Sequence, residues 1–302
     1  MKPRILIPCL IIIVVIVAGS LPSLAVEDSV GTVNWREGYV TGIGYGTAEP
    51  SGNKAIDKLK AMRAARVVAQ RHLLENIKGV RIDSETTIEN MMVQKDIIKS
   101  RVEGTIKGAE VTRRQFEWVD GNIPLATVEM RVCMVSRLGG CKSHRSLIST
   151  LNLNQNYTCP PLPKLNEKII PQPQSSSPPD FSYDSTKPVT GVVIKLDGRY
   201  FERVLLPIIA APGKGAKHTT IYSVKCVDPK IIRTYGIARY ADTVQDARKI
   251  QYLGNNIMII PALHVTNDNV VIIGKDAVRA IKETTRYGNN YLEKAKLAIA
   301  SE

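Results

Sequence analysis

Gly42-Ile43-Gly44-Tyr45-Gly46, followed by an alanine- and arginine-rich run over 54–79, is the stretch that decides the fold. Within the run, Ala55, Leu59, Met62, Ala65, Ala69, Leu73 and Ile77 recur at steps of three and four, while Lys58, Arg63, Arg66 and Arg71 fall off that stripe. This spacing predicts an amphipathic helix with one buried face, stopped by Gly79. Its many alanines predict close approach to a sheet, and the glycine-rich segment is the strand that the helix crosses. The glycines do not form a dinucleotide fingerprint. The spacing G-x-G-x-x-G is absent, and no acidic residue ends a second parallel strand about 20 residues on.

Working outward, 91–106 reads as a second helix, with Thr86, Thr87 and Ile88 as an extended lead-in. The period then changes. Two β-rich runs, 111–119 and 126–135, flank Asp120-Gly121, a strong hairpin signal. In the second run Ala126, Val128, Met130, Val132 and Met134 alternate with Thr127, Glu129, Arg131 and Cys133, as in an antiparallel strand with one wet face. Pro124 restricts that strand to a start or an edge at this point.

The N-terminus reads as an address. Lys2 and Arg4 precede an apolar run over 5–18, and Ser23-Leu24-Ala25 offers a small-x-small cleavage site, so 1–25 is read as a signal peptide. The apolar run is too short for a stop-transfer helix, which needs about 20 residues. Four cysteines follow it: Cys133, Cys141, Cys159 and Cys226. An oxidising compartment permits disulfides, and four cysteines allow three connectivities. Cys141 and Cys159 flank a polar loop and are the expected pair, whose closure would constrain the unfolded chain by about 3 kcal/mol. Cys226 is expected as a buried thiol.

Eight of the chain's 17 prolines fall between Cys159 and Pro188, among serines and glutamines that cannot bury enough apolar surface to fold. The expected organisation is a first domain over 30–150, a Pro/Ser-rich linker over 151–188 and a second domain over 189–302. In the second, strands are expected over 191–196, 219–227, 257–263 and 270–273. Helices are expected over 243–252, capped by Asp242, and over 275–284, with a closing element over 294–300. The fold class is α+β: two mixed domains, each with a small, mainly antiparallel sheet packed by helices.

A formal charge of +13 predicts attraction to anionic polymers. It does not predict nucleic-acid binding, because the basic residues are spread over both halves and only three Phe and two Trp are present for base stacking. His72, His144, His218 and His264 share no ligand spacing, and Cys141-x-x-His144 has no second pair to complete a zinc site. Ala211-Pro212-Gly213-Lys214-Gly215 lacks the P-loop length and ending and reads as an exposed turn. Glu75, Glu85, Glu89 and Glu103 read as solvent-facing helical carboxylates rather than acid/base pairs. No catalytic residue, cofactor or metal is expected. The candidate binding residues are Arg63, Arg66 and Arg71.

Gly42-x-Gly44, Ala61-x-Arg63-Ala64-Ala65, Gly79-Val80-x-Ile82-Asp83-Ser84-x-Thr86 and Ile106-Lys107-Gly108-Ala109-Glu110-Val111 together resemble the LPP-twenty lipoprotein family. The same module is similar to the N-terminal domain of flagellar assembly protein T. The resemblance covers about residues 38–135 and implies an α+β module of the periplasm or outer membrane with a structural role and no catalytic residues. The lipid-bearing cysteine of the lipoprotein members has no counterpart at Ala25-Val26. The second domain resembles, more loosely, the middle segments of flagellar and Tol-type envelope proteins. The function expected is therefore that of a non-enzymatic periplasmic or outer-membrane-associated assembly protein with envelope proteins as partners. The alternative is a binder of anionic envelope polymer, lipopolysaccharide or peptidoglycan. Either is compatible with peripheral membrane association.

Overall fold

A computed structural model of the chain describes residues 30–138, 140–141, 145–151, 153, 159, 181–213, 217–285 and 290–302. The signal segment read over 1–25, His144 and most of the 151–188 linker lie outside the described residues. The architecture is α+β in two domains, each built on its own sheet.

The first domain runs β1 (Val33–Asn34), β2 (Tyr39–Thr47), α1 (Lys54–Lys78), α2 (Ile88–Gln94), α3 (Asp96–Lys107), β3 (Glu110–Val119), β4 (Ile123–Cys133) and the single turn α4 (Leu147–Thr150). Its strands form an antiparallel sheet of order β1-β2-β4-β3. The turn between β3 and β4 uses the expected residues, with Asp120 and Gly121 both at positive φ. Pro124 is tolerated because β2 pairs with β4 only from Leu125 onward, leaving the proline opposite Trp118 alone.

The glycines of β2 admit α1. A Cβ at Gly42 would collide with the Ala69 and Leu73 backbone, one at Gly44 with Ala65 and Ala69, and one at Gly46 with Ala61 and Ala65. The helix backbone therefore lies directly on the strand, and Ala61, Ala65, Ala69, Leu73 and Ile77 are buried at a step of four. The expected stripe holds from Met62 onward, Met62 itself half-buried against the core, and fails at Ala55 and Leu59. Leu59 is exposed, and Asp57 takes the buried position at 2% exposure. Asp57 can lie there because its carboxylate accepts the Ser51 hydroxyl at 2.6 Å and the Ser51 amide at 3.0 and 3.1 Å. Those bonds, the hydroxyl's first, hold its pKa below the ordinary carboxylate value.

The single helix expected over 91–106 is two. Lys95, at φ −142 and ψ 105, breaks it into α2 and α3. Buried Ile88 and Met92 share one helical face, as do buried Ile98 and Val102. Met92 and Ile98 are six residues apart, a step that no continuous helix brings to one side. The break lets both pairs face the same core.

The second domain comprises β5 (Gly191–Lys195), β6 (Ile209–Pro212), β7 (His218–Tyr222), α5 (Pro229–Tyr235), β8 (Arg239–Ala241), α6 (Val244–Arg248), β9 (Ile257–Val265), β10 (Val271–Ile273), α7 (Lys275–Thr284) and β11 (Leu297–Ala300). The sheet is neither small nor mainly antiparallel. Its seven strands run β7-β6-β10-β9-β5-β11-β8, and only the β6–β7 and β9–β10 pairs are antiparallel. Strands buried on both faces lose polar alternation, which is why Val192-Val193-Ile194 and Leu297-Ala298-Ile299-Ala300 are apolar throughout. Val192, Ile194, Leu297 and Ile299 join the main core; Val193, Ala298 and Ala300 join a smaller cluster under α6. Within the segment read as an exposed turn, Ala211 is a buried strand residue of β6, and Lys214 and Gly215 lie outside the described residues. The cap of α6 is Thr243, whose hydroxyl accepts the Asp246 amide at 3.1 Å, rather than Asp242.

The expected Cys141–Cys159 pair is not formed. Cys133 bonds Cys141 (Cα–Cα 5.8 Å), and Cys159 bonds Cys226 (4.3 Å), so Cys226 is not a free thiol. The chain leaving β4 doubles back, with the Cys141 amide on the Leu138 carbonyl, and this returns Cys141 to the strand end it left. Nor are the domains separate bodies on a tether. One core cluster runs through both. The Leu205 and Leu206 amides donate to the Arg81 and Ile82 carbonyls at 3.0 and 2.8 Å, and Trp35 meets Tyr240 edge-on at 5.5 Å. Residues 181–188 dock on the second domain through Asn256, whose amide nitrogen reaches the carbonyls of Asp184, Lys187 and Pro188.

Candidate binding surfaces

Arg63, Arg66 and Arg71 lie on the outward side of α1, and all three are exposed. Among the described residues none of them makes an ion pair. Sequence reasoning missed their surroundings. Ile56, Leu59 and Val67 are exposed at 45, 70 and 53% on the same helix, so its outer face mixes bare cations with bare aliphatic groups. Isolated surface aliphatics need no explanation, but three along one rigid helix, among arginines, have the composition of an interface. At the start of the helix Lys54 and Lys58 bend the other way, over Trp118 and Phe116 at 5.3 and 5.0 Å.

His72 is satisfied by the Ile43 carbonyl at 2.6 Å from Nδ1. Glu89 pairs with Lys78 at 3.5 Å. Among the described residues no three of His, Cys, Asp and Glu converge, and no helix is long and apolar enough to cross a membrane.

A second concave surface lies where the domains meet, a cleft of about 630 Å³. Arg81 and Ser84 enter it from the segment after α1, Arg199 and Glu202 from the loop after β5, and His264 and Asn267 from the end of β9. β5 and β9 are parallel neighbours, so the cleft opens at their carboxyl ends, the edge at which open α/β sheets bind ligands.

Residues 191–302 match the family model described as Treponema pallidum Tp0624, second domain. The match takes in β5 to β11, hence the whole seven-stranded sheet, and none of the first domain. No curated protein matches the chain.

Arg239 is the other unusual cation of this matched region, and its place is structural. It is 1% exposed at the start of β8 and donates to the Tyr235 and Ala238 carbonyls. Its guanidinium lies over the Tyr252 and Tyr235 rings at 4.8 and 5.8 Å, while Nε and Nη2 have no hydrogen-bond acceptor among the described residues. Burial lowers its pKa to about 10, so it stays charged at neutral pH, held by aromatic faces and the carbonyl end of α5.

Proposed function

We propose that the chain is an exported, non-catalytic assembly protein of the cell envelope that acts by docking the outer face of α1 on another envelope component. One observation carries the reading: cations and exposed aliphatic side chains share a helix whose opposite face is seated on glycine backbone. Such a face is pre-organised, so little ordering entropy opposes association. Two disulfides use all four cysteines beyond the leader and favour an oxidising compartment. The resemblance of the first domain to the LPP-twenty module supports an envelope role, and to the flagellar assembly module a structural one.

The arginines themselves favour a second reading, in which the face binds anionic envelope polymer. The two readings separate in one experiment. The intact exported chain is compared with an Ile56→Ser/Leu59→Ser/Val67→Ser variant and an Arg63→Ser/Arg66→Ser/Arg71→Ser variant in binding to envelope extract at low and moderate salt. The assembly reading expects the aliphatic variant to lose a stoichiometric protein partner, with weak salt dependence. Loss with the arginine variant alone, together with steep loss in salt, selects the polymer. Binding unaltered in both variants removes α1 as the surface.

A further inference from the structure

The cleft between the domains has the chemistry of a site, independent of α1. We propose that it binds an acidic sugar, the anion held between Arg81 and Arg199 and the ring resting on Tyr200.

Both guanidiniums are held in place by oxygen acceptors rather than left to swing. Arg81 forms an ion pair with Glu202, Nε 2.6 Å from a carboxylate oxygen, and donates Nη1–H to the Ser84 carbonyl at 2.8 Å. Arg199 gives Nε to the Leu263 carbonyl at 3.1 Å and Nη1 to the Leu196 carbonyl at 2.8 Å. In each, Nη2 has no acceptor among the described residues. Glu202 pairs with Arg81, and Asp197 is shared between Arg199 at 3.4 Å and Lys195 at 3.1 Å. Of the Arg, Lys, Asp and Glu residues that line the cleft, Arg81 and Arg199 outnumber Glu202. Glu202 is itself fixed, because Asn269 donates to its carbonyl at 2.7 Å and accepts its amide at 2.9 Å. A guanidinium with a spare, oriented N–H is the group that recognises carboxylate and phosphate oxygens.

The rest of the lining selects a polyhydroxylated molecule over a bare ion. Tyr200 is 84% exposed beside the cleft, an aromatic face with nothing stacked on it among the described residues. A sugar ring presents C–H groups to such a face, and Ser84, Thr266 and Asn267 offer hydroxyl and amide partners for its hydroxyls. The volume suits one or two sugar rings.

Calorimetric titration of the intact chain tests this with N-acetylmuramic acid (carboxylate), glucose 6-phosphate (phosphate), neutral N-acetylglucosamine and free acetate. At least one acidic sugar should bind about tenfold or more tighter than the neutral sugar, since one charge-assisted bond supplies a difference of that order. Which acidic sugar binds names the anion. Arg199→Gln should remove the preference for the acidic sugar, and Tyr200→Ala should weaken every sugar while leaving the fold intact. The α1 variants should change none of this, so failure here is distinct from failure of the docking reading. Equal binding of neutral and acidic sugars, binding of acetate as tight as that of the sugars, or indifference to both variants would overturn the proposal.

Discussion

At the scale of the residue, Asp57 shows how a charged side chain takes a core position. The helix step of four demands a buried residue one turn before Ala61, and the segment ahead of α1 supplies a hydroxyl and an amide from Ser51 to receive a carboxylate there. Because the pKa is lowered on folding, the contribution to stability is present above the ordinary carboxyl value of about 4 and is lost as pH falls through the lowered one. Asp57→Asn should therefore be less stable than the parent at neutral pH, with the gap closing in acid. Urea midpoints across that range check it, and a gap unchanged into strong acid would refute it. The hydrophobic period points to Leu59 as the buried residue of this turn, since it registers only apolar side chains. A carboxylate with a private set of donors six residues upstream is not visible in a hydrophobic period. The same period makes Arg63, Arg66 and Arg71 readable as exposed, places Leu59 in the core and says nothing of Ile56 and Val67.

At the scale of the element, the contact between β2 and α1 sets the first domain. Ala at position 44 would place a methyl against the Ala65 carbonyl and the Ala69 amide, both backbone and unable to yield. Gly44→Ala should cost about 3 kcal/mol by overpacking. In contrast, Gly104 of α3 has open space where a methyl would go, so Gly104→Ala should stabilise by about 1 kcal/mol through helix propensity. Chemical denaturation of the two variants gives opposite signs if close approach, rather than loss of glycine flexibility, controls β2. This element was legible: the glycine strand, the helix over Lys54–Lys78 and the Asp-Gly hairpin all follow from local pattern. β6, β8 and α5 were not. They are three to seven residues long, and the buried strands show no alternation because both their faces are covered. Parallel pairing depends on partners far along the chain, which no local period encodes.

At the scale of the whole molecule, the disulfides and the domain junction convert a chain with a proline-rich interruption into one packed body. Cys159–Cys226 closes a separation of 67 residues and Cys133–Cys141 one of eight. On the loop-entropy model these contribute about 4 and about 2.5 kcal/mol. Replacing Cys159 and Cys226 by Ser should therefore lower the thermal midpoint more than replacing Cys133 and Cys141. Scanning calorimetry would show it, and the reverse order would mean that strain or residual structure in the unfolded chain outweighs loop length. Connectivity could not be read from sequence because the polar loop between Cys141 and Cys159 pointed to their closure, whereas the return of the chain after β4 brings Cys141 to Cys133. The junction also places the chain's two tryptophans in different company. Trp118 lies within the first domain against Phe116 and Lys54, while Trp35 has its aromatic neighbour, Tyr240, across the boundary. Native fluorescence thus carries a built-in gauge: parting of the halves would wet the Trp35 indole and redden its emission, while the Trp118 signal stays as an internal standard.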